Sequence, residues 1–154
     1  MLQRPLFLIL LGILLMPARA NLNETIEQLV ARYGQPSGYA EASAKTPFGN
    51  IVFRAGAYEL VLFILNNKEV GARVTKVDKS SFNPDEIQAI MTAETSDAKS
   101  KWVSATSTDP SMIQWSRSDH ATASYDKDNH MLLFTSETMT QVLHAPPKTP
   151  PAVP

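Results

Sequence analysis

Hydrophobic and polar residues are most clearly patterned between positions 57 and 77, and the rest of the chain is organised around that stretch. Ala57-Tyr58-Glu59-Leu60-Val61-Leu62-Phe63-Ile64-Leu65 is rich in β-branched and aromatic residues and apolar on both faces from Val61 onward. That composition suits a strand buried in the middle of a sheet. Asn66 and Asn67 tolerate positive φ and predict a hairpin turn. On the returning arm Val70, Ala72 and Val74 are expected on one face and Glu69, Arg73 and Thr75 on the other, as in a strand with one wet face.

Upstream, Leu22, Ile26, Leu29, Val30 and Tyr33 recur at helical spacing and predict a helix over 23–33. Asn21 or Asn23 is expected to cap it, and Gly34 with Pro36 to end it. The segment from Pro36 to Pro47, around Tyr39, reads as a loop or an irregular edge strand. Phe48 to Arg54 reads as a strand that turns at Ala55-Gly56 into the central hairpin. The pattern then restarts. Asn83-Pro84-Asp85-Glu86 joins a capping asparagine, a proline at the first helical position and a glutamate three residues on, and it predicts a helix over 84–94 with Phe82 and Ile87 as a hydrophobic staple. Short strands follow at Trp102 to Thr106, Met112 to Arg117, Ala121 to Tyr125 and His130 to Thr135. Met139 to Leu143 extends the last strand or forms a terminal turn. The expected fold is α+β: an antiparallel sheet of about six or seven strands in two meanders, helices on one face, with a tandem repeat of helix plus three strands.

The ends of the chain read differently. Arg4, an apolar run from Leu6 to Met16 and Ala18-Arg19-Ala20 form an export signal, cleaved after Ala20, whose apolar run is shorter than the ~20 residues that span a bilayer. This divides the chain into a signal at 1–20, a domain at 21–144 and a proline-rich tail at 145–154 of extended or disordered character. Without Arg4 and Arg19 the net charge is −3, too mild to favour nucleic acid or an anionic membrane. The chain has no cysteine, which removes disulfides, thiol nucleophiles and cysteine-based metal sites. A soluble secreted or periplasmic protein is expected, stabilised by its core and with no cofactor.

Among chemistry-bearing residues, Asp119, His120 and His130 are the candidates for a metal- or histidine-dependent hydrolase, if the hairpin brings the two rings together. The chain contains no G-x-S-x-G, G-x-G-x-x-G or P-loop pattern. Trp102 and Trp115 are either core or aromatic anchors on an exposed face, and the second half places them near Arg117, Asp119 and His120. Aromatic anchors beside polar residues are what protein interfaces use, so these five are the candidate binding residues.

The order helix, Tyr33-Gly34-Gln35-Pro36, meander, then helix and strands again resembles small exported bacterial domains of the SmpA/OmlA (BamE-like) type. It also resembles the tandem arrangement of β-lactamase-inhibitor-like proteins. The resemblance spans about 21–134 and implies a binding or scaffolding domain with another exported or envelope protein as partner. The lipidated cysteine of the former and the disulfides of the latter are missing here.

Overall fold

The computed structural model describes residues 22–43, 46–95 and 100–145. The export signal and nearly all of the proline-rich tail lie outside the described residues.

The chain folds as α+β, with the order α1 (Ile26–Tyr33), β1 (Gly38–Ala40), β2 (Gly49–Ala55), β3 (Tyr58–Leu65), β4 (Lys68–Lys76), α2 (Pro84–Ala93), β5 (Val103–Ala105), β6 (Met112–Ser116), β7 (Thr122–Asp126), β8 (Met131–Thr135) and α3 (Glu137–His144). Eight strands pair antiparallel in one open sheet, in the order β1-β2-β3-β4-β8-β7-β6-β5. The strand beyond the expected six or seven is β1, where Tyr39 pairs with Ile51. Each half is therefore a helix followed by four strands rather than three. The two meanders join through their last strands, from Gly71 opposite Thr135 to Val74 opposite Leu132.

Local chemistry accounts for most elements. Asn66 and Asn67 both take positive φ, 52° and 63°, and close the hairpin between β3 and β4 as their side chains allow. Asn83 and Glu86 form a reciprocal capping box at α2, with Pro84 in its first turn. At α1 the cap is Thr25, not Asn21 or Asn23, because Thr25 and Gln28 form the capping box there. The helix consequently starts later than expected, and Leu22 is buried just ahead of it.

Alternation then builds the core. Ile51 and Phe53 of β2, Leu60 and Leu62 of β3, Ala72 and Val74 of β4, and Leu132 and Phe134 of β8 pack with Leu29 of α1 and Ile87, Ile90 and Met91 of α2. The opposite side carries a smaller cluster of Phe48, Val70 and Met139, with Phe63, Leu65 and Val142 against it. Met139 and Val142 belong to α3, so this third helix covers the other face. The expectation of a strand extension or turn at 139–143, and of helices on one face only, is corrected here. Ser136 accepts the amide of Met139 and caps a short helix at a point where the sequence pattern is too brief to show one.

Candidate functional site

Trp102 precedes β5, and Ile113 and Trp115, two apart on β6, share one face of the sheet. With Ile87 and Met91 of α2 they line an open groove of about 500 Å3, whose polar members are Gln88, Thr92, Thr95, Ser100 and Lys101. Both tryptophans are half-buried, packed at the margin of the core rather than within it.

Trp102 is held from several directions. Its indole N–H donates to the Met91 carbonyl at 3.0 Å, and its ring lies 5.9 Å from that of Phe134. The Arg117 guanidinium sits 4.8 Å from its centroid, in cation–π geometry. Trp115 makes no polar contact among the described residues and lies between Ser104 and Ala123 in the ladder.

Arg117 is only 6% exposed and so does not act as a polar contact at a surface rim. Its Nε and Nη2 donate to Asp119 Oδ1 and Oδ2 at 2.8 and 2.6 Å, and its Nη1 donates to the Glu94 carbonyl at 2.8 Å. One guanidinium thus ties together the end of α2, the turn between β6 and β7 and the face of Trp102. Hydrogen bonding from Arg117 is the main reason the Asp119 carboxyl is held below the usual aspartate range. His120 is exposed in the same turn, with φ 62° and its backbone N–H on the Arg117 carbonyl at 3.0 Å. Of the five binding residues expected from sequence, Trp102 and Trp115 line the groove, Arg117 and Asp119 brace it, and His120 lies beyond it.

Strand direction sets apart the two histidines of the hydrolase arrangement. His120 precedes β7 and His130 follows it, so the rings occupy opposite ends of a five-residue strand. At about 3.4 Å per residue that separates them by roughly 17 Å. His130 Nδ1 instead lies 3.0 Å from the Lys79 carbonyl. Among the described residues no three His, Cys, Asp or Glu side chains gather in metal-binding geometry.

The groups that sequence reasoning missed lie under α1. The ladder between β3 and β4 shifts register between Phe63 and Ile64, pairing Phe63 with Gly71 but Ile64 with Glu69. Val70 is the extra residue of this bulge. It points to the α3 side, and Glu69 turns into the core instead of onto a wet face, where it is 0% exposed. Neither carboxyl oxygen of Glu69 has a hydrogen-bond partner among the described residues. Burial raises its pKa well above the ordinary glutamate value, and the charges of Glu94 and Glu24 add to that while Arg32 opposes it. Tyr33 is raised as well, first by burial. Glu94, at the α2 C-cap, is also 0% exposed.

No protein-family model matches the chain, and no curated protein matches it. Solved structures similar over part of their length include the following two. A cysteine-rich secretory protein from Staphylococcus aureus is 14% identical with a TM-score of 0.39, over 77% of this chain and 45% of that one. An extracellular protein containing an SCP domain, from Bacillus anthracis, is 14% identical with a TM-score of 0.41, over 86% and 50%. The chain spans about half the length of these matches.

Proposed function

We propose that the protein is an exported, non-catalytic binding module whose groove between α2 and β6 takes an apolar segment of another exported protein, flanked by an acidic residue. The observation that carries this reading is the composition of the groove. Ile87, Met91, Ile113 and Trp115 offer an apolar floor, Trp102 is braced as a wall, and among the described residues the one charged member of the lining is Lys101. An apolar strip with a cation at its edge complements an apolar segment with a neighbouring carboxylate. Trp115 is the anchor position, because its indole is not committed to a polar contact among the described residues. Export rests on Arg4, the apolar run and the Ala18-Arg19-Ala20 site, and N-terminal sequencing of the mature protein should begin at Asn21.

The groove is tested with 1-anilinonaphthalene-8-sulfonate, an apolar anion of matching chemistry. Its fluorescence should rise with the folded wild-type protein, fall with Trp115→Ala and weaken with Lys101→Glu. A peptide library displayed on phage is then selected against wild type. Enriched peptides should carry aromatic or aliphatic residues beside Asp or Glu and should fail to bind folded Trp115→Ala. Peptides that bind both proteins equally would place recognition elsewhere.

A further inference from the structure

Glu69 occupies an unusual position, because its backbone and its side chain serve the same junction. Its carbonyl accepts from the Asn23 amide at 2.9 Å, and its own amide donates to the Glu24 carbonyl at 2.8 Å. Thr25 and Lys68 complete a small antiparallel bridge beside them. The entry to α1 is therefore fastened to β4 at the residue whose carboxyl lies buried beneath the helix. The groups facing that carboxyl are Glu24 ahead of α1, Arg32 and Tyr33 within α1, and Glu94 at the end of α2. Arg117 joins the group through the Glu94 carbonyl. Among the described residues the cation whose field reaches Glu69 is Arg32, and Glu24 already forms an ion pair with it.

We propose that this cluster is a proton-dependent latch: a neutral Glu69 carboxyl keeps the entry to α1 docked on β4, and its ionisation releases that entry. The physical reason is desolvation. An ionised carboxylate in this position would sit without water, beside two further carboxyls and facing a guanidinium that is already paired. Taking up a proton removes the cost in place, and losing it drives the side chain toward water. Because the Glu69 backbone carries both hydrogen bonds of the junction, outward movement of the side chain strains the contacts of Asn23 and Glu24. The latch does not depend on what the groove binds.

The direction follows from linkage. Folding holds the proton on Glu69 to a higher pH than the unfolded chain does. The stability this contributes is fully present below about pH 4.5, the ordinary glutamate value, and is lost as pH rises through the folded-state value. Within that window the equilibrium constant for the closed form falls about tenfold per pH unit.

Amide hydrogen exchange, followed by NMR and corrected for intrinsic rates, reads the latch directly. In wild type the protection of the Asn23 and Glu69 amides should fall about tenfold per pH unit across the window, while amides of β7 and β8 keep theirs. Glu69→Gln, which cannot ionise, should abolish the pH dependence at the Asn23 amide. Equal pH dependence in both proteins would overturn the proposal, as would a uniform loss of protection across the sheet. If Glu69→Gln does not fold, carbon-13 titration of the wild-type glutamate carboxyls decides the matter. The Glu69 carboxyl, assigned through its own backbone correlations, ionising well above the exposed glutamates supports the latch, and its ionising near about pH 4.3 overturns it.

Discussion

Replacing Arg117 with methionine keeps the apolar stem and removes the guanidinium, so it separates a brace from a surface contact. The bond from Nη1 to the Glu94 carbonyl is buried, and a hydrogen bond to a charged group contributes about 1.5–3 kcal/mol. Stacking on Trp102 at 4.8 Å adds about 0.5–2 kcal/mol, depending on how dry the contact is. The ion pair with Asp119 adds less than its short distances suggest. The Arg117 side chain is 3% exposed but that of Asp119 is 46%, so water already screens the carboxylate. Removing the buried charge itself returns part of the loss. The expected net cost of Arg117→Met is about 2–4 kcal/mol, read from urea unfolding with unchanged slope. Asp119→Asn should cost about 1 kcal/mol or less. The tryptophan emission of folded Arg117→Met should shift to the red as Trp102 loses its cover. A cost under about 0.5 kcal/mol, or equal costs for the two variants, would refute the brace.

Other perturbations probe the scaffold and the junctions between its elements. A Cβ at Gly71 would overlap the Met139 sulfur and approach the Phe134 carbonyl to 2.8 Å, so Gly71→Ala should lower stability by about 1–3 kcal/mol in chemical denaturation. Adding Met139→Ala should recover only the part due to the sulfur, since the Phe134 carbonyl is backbone. Leu62→Ala, at a side chain with 0% exposure, should cost about 2–5 kcal/mol by the same measurement, and an unchanged midpoint would remove β3 from the core. Asn83→Ala should cost about 0.5–2 kcal/mol and raise exchange of the first-turn amides of α2, where the Glu86 amide loses its acceptor.

The elements that were legible in the sequence are those specified by neighbours along the chain. The Asn66-Asn67 turn, the Asn83-Pro84-Asp85-Glu86 cap, the apolar stripe of α1 and the central strand each rest on local sterics, local hydrogen bonds or a short hydrophobic period. Both tryptophans also read as belonging to the second half, while the sequence left open whether they face the core or solvent. Glu69 lay at the limit of what a sequence shows. A two-residue turn at Asn66-Asn67 places Glu69 opposite Ile64, whereas the alternation of Val70, Ala72 and Val74 places it on the wet face. The bulge at Val70 decides for the first: Glu69 lies opposite Ile64 in the core, and Val70 leaves the face of Ala72 and Val74 for the α3 side. Whether a carboxyl can then be buried depends on α1 and α2, which arrive from elsewhere in the chain. The same is true of Arg117, which reads as a surface cation until the end of α2 supplies a carbonyl and Trp102 a ring. Pairing of β4 with β8 joins two edges that no local pattern connects, and α3 is too short for its period to register. Tertiary structure decided these features because each of them is a contact between segments distant in sequence, where the geometry of packing sets which side chains lose their water.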